Sequence, residues 1–207
     1  MRANDSRLAE TIAFIARFYD SRKYGYEGLE GYRKSTDLRK FTFIIEELRR
    51  LNLLRRDRTV FLDLGCADGR VNLLLSYFVR KSLGIEIDSL ILDEYEPRKQ
   101  ALIWELEGMD LLAPPGNISL FAGSSLERLT YDRIAEQTGI HFTDVDLFYT
   151  YITLHDLFGE MIASNARDGA LFLVYGFHKV LPRYDGLEIL IPDVGSQSIA
   201  TLYRRVG

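Results

Sequence analysis

Two short stretches of this 207-residue sequence carry the residue types and spacing that could do chemistry. The first is Asp63-Leu64-Gly65-Cys66-Ala67-Asp68-Gly69, which follows the apolar run Val60–Leu64 and precedes a helical pattern. The second lies ~20 residues on, where Leu83–Ile87 carries Glu86 near its end, with Asp88 just beyond. Glycines at 65 and 69 let a backbone turn sharply and approach a ligand closely. A carboxylate at the tip of a neighbouring strand can accept both hydroxyls of a ribose. The pair predicts a nucleoside site at the carboxyl ends of parallel strands, where open α/β sheets bind their ligands.

The turn also selects among nucleosides. It lacks the G-x-G-x-x-G of a dinucleotide site, and Asp63 and Asp68 would repel a pyrophosphate at that helix N-terminus. This counts against an NAD-type oxidoreductase. S-adenosylmethionine has no phosphate and carries a sulfonium and an ammonium, so acidic side chains at the strand tip suit it.

Elements that alternate along the chain must position these residues. Apolar periodicity predicts helices over 5–19 and 36–54, forming an N-terminal helical extension over 1–58. From 59 to 207 short apolar runs alternate with helical stretches. Strands are predicted at 60–64, 83–87, 118–122, 145–151 and 170–175, and helices at 71–80, 125–137 and 155–166. A further helical stretch over 89–107 is interrupted or restarted at Pro97. The runs 187–191 and 198–205 read as a closing hairpin. This order implies βαβ units in one domain: a doubly wound, mostly parallel seven-stranded Rossmann-like sheet with a C-terminal antiparallel hairpin.

Phe61–Arg70 resembles the first motif of the class I S-adenosylmethionine-dependent methyltransferases, an acidic residue followed by x-Gly-x-Gly-x-Gly. Asp63, Gly65 and Gly69 match, and Ala67 stands at the middle glycine. The resemblance runs from about residue 36 to the end. It implies that Asp63 and the Gly65-Cys66-Ala67 backbone through Gly69 hold the methionine end. It also implies that Glu86, with Ile87 beside it, holds the ribose. The turn, the acidic second strand and the absence of an Asn-Pro-Pro motif are also similar to lysine methyltransferases of the disruptor-of-silencing type.

After the third strand the family often has an aspartate toward the adenine; this chain has Ser124 following Gly123. Ser124-Ser125-Leu126-Glu127 also fits a capping box, so backbone amides near Gly123, Ser124 and Ser125 are alternative adenine contacts. At the fourth strand, where an acceptor belongs, Tyr149 and Tyr151 share a face by period-2 alternation. One of them is expected in the core and Tyr151 toward the pocket. His155 could serve as a general base, because an imidazole titrates near neutral pH; Thr153-Leu154-His155-Asp156 also fits a capping box. Cys66 has no visible base beside it and reads as a small buried filler. The tyrosines of 24–32 could enclose a methyl-accepting nitrogen, since a cation over a ring is favourable.

Composition sets the outer bounds. Hydrophobic residues make up 47% and charged residues 27%, which fits a globular chain and excludes low-complexity classes. No apolar run reaches the ~18 residues of a membrane span. One cysteine and three histidines without ligand spacing predict no metal site. A cytoplasmic location is expected. Residues 1–58 hold 14 basic and 9 acidic residues, against 12 and 21 in 59–207. The catalytic part is therefore acidic, which favours a protein or small-molecule methyl acceptor and disfavours nucleic acid. The arginines at 49, 50, 55, 56 and 58 read as a solvated helix face or, alternatively, a docking patch. An RNA methyltransferase, or a non-catalytic nucleoside-binding scaffold on the same fold, are the rival readings.

Overall fold

Alternation of strands and helices builds one mixed sheet in a computed structural model that describes residues 2–22, 35–176 and 181–207. Five strands are parallel: β1 (Val60–Asp63), β2 (Lys81–Glu86), β3 (Ile118–Ala122), β4 (Leu147–Tyr151) and β5 (Leu171–Tyr175). The hairpin strands β6 (Leu187–Ile191) and β7 (Ala200–Arg205) close the sheet, with β7 antiparallel to both β5 and β6. The order is β3-β2-β1-β4-β5-β7-β6. Winding reverses between β1 and β4, so the crevice expected to take a ligand opens there.

Period-2 alternation divides the strand side chains between two cores. Phe61, Leu147, Tyr149, Leu173 and Tyr175 enter the first core. Val60, Leu62, Phe148, Phe172 and Val174 enter the second. The first face is covered by α1 (Arg2–Asp20), α2 (Leu38–Arg50), α3 (Arg70–Leu75) and α5 (Tyr95–Gly108), the last preceded by the short α4 (Ser89–Leu92). The second face is covered by α6 (Arg128–Thr138) and α7 (His155–Asn165). The Asp20 carboxylate accepts the amides of Leu38 and Arg39, at 2.8 and 3.0 Å, which joins the end of α1 to the start of α2. Among the described residues no helix is long and apolar enough to cross a membrane.

Several boundaries differ from the sequence expectation for definable reasons. The second helix stops at Arg50 rather than 54, because Asn52 turns left-handed at φ 57° and the Leu53 amide returns to Leu48. The helix after the glycine turn ends at Leu75 rather than 80; the Asn117 side chain donates to the carbonyls of Ser76 and Val79 and holds that turn open. The break in the long helical stretch falls before Pro97, at Asp93-Glu94. Pro97 sits in the first turn of α5, where a missing N–H costs nothing. Neither expected capping box forms. The helix after β3 starts at Arg128 with Glu127 as its flanking residue, while Ser124 Oγ accepts the Leu126 amide at 3.2 Å. The helix after β4 starts behind Leu154 in a left-handed conformation, not behind Thr153.

Candidate active site

The tips of β1, β2 and β3 are laced together by the residues that the sequence singles out. Glu86, buried at the end of β2, uses both carboxylate oxygens: Oε2 accepts the Ala67 amide and Oε1 the Asp88 amide, each at 2.9 Å. Its backbone carbonyl accepts from Gly123 at 2.8 Å. A carboxylate offers about four acceptor positions, so two are left for a ligand. Ile87, next in sequence, is 75% exposed and presents an apolar side chain beside that carboxylate.

The glycine turn divides its labour. Gly65 takes no positive φ, and a Cβ built on it meets nothing within 4 Å. Its bare side faces open space, as a ligand's approach needs. Gly69 is fixed by the fold itself. It begins α3 at φ 71°, and a Cβ there would lie 2.6 Å from the Tyr95 ring. Between them Ala67 occupies a left-handed conformation at φ 48°, where a glycine would sit without strain. Cys66 is buried, with its amide bonded to Ile85 and its side chain close against Gly84. Burial and three neighbouring carboxylates push its thiol well above the ordinary range, so it is no nucleophile.

The two acidic residues of the turn have different fates. Asp68, fully buried, is held by Arg70 through both oxygens, at 2.9 and 3.0 Å, and by Arg98 at 3.2 Å. Its charge is spent inside the fold, so the expectation that it faces a cationic ligand is corrected. Asp63 is also buried and, among the described residues, accepts only a long 3.3 Å bond from the Gly65 amide. Burial raises its carboxyl well above the ordinary range; the Gly65 amide opposes this, and Glu86 and Asp68 add to it. Ser125 Oγ donates to the Leu64 carbonyl at 3.0 Å and ties the β3 loop to the β1 turn. Ser124 and Gly123 are half-buried beside it.

At β4 the two tyrosines share the first-core face, as alternation requires, but differ in burial. Tyr149 is buried, its hydroxyl 2.6 Å from Thr36 Oγ1. Tyr151 is half-buried and packs on Tyr175, ring centroids 5.4 Å apart. Burial raises both hydroxyls, Tyr149 more strongly, so both remain protonated at neutral pH. Beyond β4 the backbone is strained: Ile152 and Leu154 take φ 32° and 53°, which costs about 1–2 kcal/mol each for such side chains. His155 does not join Tyr151. It begins α7 on the second face, where Nδ1 lies 2.8 Å from the Tyr184 hydroxyl, and the rings of Tyr184, Phe172 and Tyr203 pack behind it. Tyr151 belongs with the first core. The aromatic stretch 24–32 lies outside the described residues.

Sequence reasoning missed Thr36, Arg70 and Arg98. Asp68 and Arg70 are two apart, a local signal that was readable. Thr36 and Arg98 come from elements remote in sequence and leave no such trace.

No protein-family model and no curated protein matches the chain. Solved structures do. An Escherichia coli protein assigned as a methyltransferase, yhhF, matches over 84% of this chain and 88% of its own, at 19% identity and a TM-score of 0.53. A Klebsiella pneumoniae protein assigned as an O-methyltransferase matches over 97% and 90%, at 13% identity and 0.53. A mutant of MtNAS in complex with S-adenosylmethionine matches over 98% and 73%, at 12% identity and 0.51. At these identities the likeness is one of fold. Strand order, closing hairpin and these matches agree that the chain has the class I S-adenosylmethionine-dependent methyltransferase fold.

Proposed function

We propose that this chain is an S-adenosylmethionine-dependent methyltransferase whose acceptor is a protein side-chain amine or a small molecule. The observation that carries this is Glu86, fixed by the Ala67 and Asp88 amides with two acceptor positions remaining, beside the open flank of Gly65. The donor and acceptor set fits the cofactor. Carboxylates at 63 and 86 complement cationic groups and ribose hydroxyls and would repel a pyrophosphate. When bound, S-adenosylmethionine supplies an electrophilic methyl on sulfur. Glu86 would orient the ribose, the exposed Ile87 would cover one face of the base, and the Gly123-Ser124-Ser125 backbone would meet its edge. Asp63 and the Gly65–Gly69 backbone would hold the methionine end.

The chain's main contributions to transfer are alignment and exclusion of water. Tyr151, protonated, can orient an acceptor through its hydroxyl but cannot remove a proton. His155 is engaged with Tyr184 on the other face. An amine acceptor would therefore arrive neutral or release its proton to water. The test is calorimetric titration with S-adenosylhomocysteine, followed by incubation of a cell extract with methyl-labelled cofactor. Saturable binding with label in protein or small molecules is expected. No binding would overturn the assignment, and binding without any labelled product would favour a nucleoside-binding scaffold.

A further inference from the structure

We propose that the strand-tip edge of the second face is a docking surface for a basic polypeptide with apolar side chains. This rests on the methyltransferase reading and narrows its acceptor. Leu126 and Leu129 lie where the chain passes from β3 into α6, and Leu154 and Leu157 where it passes from β4 into α7. Both passages leave the carboxyl edge of the sheet, beside the candidate site. Leu129 is 77% exposed and the other three are 44–48% exposed. Single exposed leucines are ordinary, but several at one edge next to a site mark a contact surface. Leu154 is also held outward in a left-handed conformation that a leucine avoids.

Charge identifies the occupant. Glu127, Asp156 and Glu160 are exposed on the same two passages, and Glu160 lies one turn from Leu157 on α7. Two basic residues stand near them: Arg128 faces Asp132 at 3.8 Å, and the Arg133 guanidinium donates to the Ala122 carbonyl at the tip of β3. Glu127 and Glu160 have no basic partner among the described residues. The edge thus offers apolar contact framed by negative charge. A polyanion meets repulsion here, and a small amine has no use for four leucines. A polypeptide that alternates leucine-like and lysine-like side chains satisfies both features.

The probe is a fluorescein-labelled amphipathic peptide of leucine and lysine, about 14 residues or four helical turns long. Its leucine–glutamate counterpart and a single-stranded RNA serve as competitors. Anisotropy titration should show that the leucine–lysine peptide binds most tightly. Leu129→Ser with Leu157→Ser leaves every charge in place and should weaken that binding at least ~10-fold, as loss of central apolar anchors does. Trp104→Ser, an exposed apolar residue of α5 on the opposite face, should change nothing. Binding of S-adenosylhomocysteine should be equal in all three proteins. Equal peptide affinity in the double variant, or tighter binding of the RNA or the acidic peptide, overturns the docking surface. Failure of the unmodified protein to bind S-adenosylhomocysteine overturns the underlying reading instead.

Discussion

Glu86 and Asp63 both border one glycine turn in space, yet their physics differ. Glu86 is saturated on one side by two backbone amides, so it is pre-oriented. Glu86→Ala should weaken S-adenosylhomocysteine binding by ~1.5–3 kcal/mol, the worth of hydrogen bonds to a charged group. It should also lower the unfolding temperature, because the Ala67 and Asp88 amides lose their acceptor. Calorimetry and thermal unfolding on the same sample separate the two effects. A lowered melting point with unchanged affinity would make Glu86 a structural brace alone. Asp63 is the opposite case, a buried carboxyl with one weak donor whose native pKa is raised, chiefly by burial. A raised native value means that its contribution to stability is complete below the unfolded value of ~3.9. That contribution is lost as pH rises through the native value. Asp63→Asn, neutral at every pH, should therefore gain on the unmodified protein as the ligand-free chain is taken from about pH 4 toward neutrality. Parallel urea-unfolding profiles of the two proteins across that range would refute this.

At the scale of elements, the two outer glycines of the turn make a matched pair. Gly65→Val places a side chain in open space on backbone that tolerates it, so stability should change by no more than roughly 1 kcal/mol. Affinity for S-adenosylhomocysteine should fall at least ~10-fold, since the branched side chain fills the ligand's approach. Gly69→Ala meets a positive φ and the Tyr95 ring together, and should destabilise by more than roughly 1 kcal/mol in urea. If Gly65→Val binds as tightly as the unmodified protein, the ligand lies elsewhere. This asymmetry was invisible in the sequence, where both glycines have equal standing. The strands were legible because period-2 alternation is a property of the chain itself; β3 and β6 fall on the expected residues. Helix ends were less so. The first turn of α6 was expected at Ser125, but the Ser125 hydroxyl is drawn to the Leu64 carbonyl across the sheet. A tertiary bond that the local sequence does not announce holds Ser125 there, while the expected cap, Ser124, bonds only the Leu126 amide. For the same reason His155 could be named a candidate base but not placed. The partner that fixes it, Tyr184, is 29 residues away on the way to β6.

For the molecule as a whole, charge bears on which acceptor the proposed transfer could use. Residues 1–58 carry 14 basic and 9 acidic residues, whereas 59–207, which holds the glycine turn and every strand tip, carries 12 and 21. A polyanionic acceptor would need the basic segment to hold it against that field. The obvious handle is the arginine run that begins in the last turn of α2 and continues beyond it, but several of its members are already engaged. Arg50 reaches Glu47 and Arg55 reaches Asp57, each at 3.4 Å, and the Arg49 guanidinium lies 4.9 Å from the centre of the Phe78 ring. Exposed pairs of this kind contribute little to stability, so they can be altered without endangering the fold. Replacing Arg49, Arg50, Arg55 and Arg56 together with glutamate should therefore leave the fold intact, with a somewhat lower unfolding temperature from the like charges set beside Glu47 and Asp57, and the methyl label in protein or small molecules unchanged. The opposite outcome has its own signature. Label in RNA or DNA, binding that falls steeply with salt in proportion to several phosphate contacts, and loss of both in the charge-reversed variant would make the arginine run the acceptor site. The acidic strand tips would then act only on a target delivered to them from the basic end of the chain.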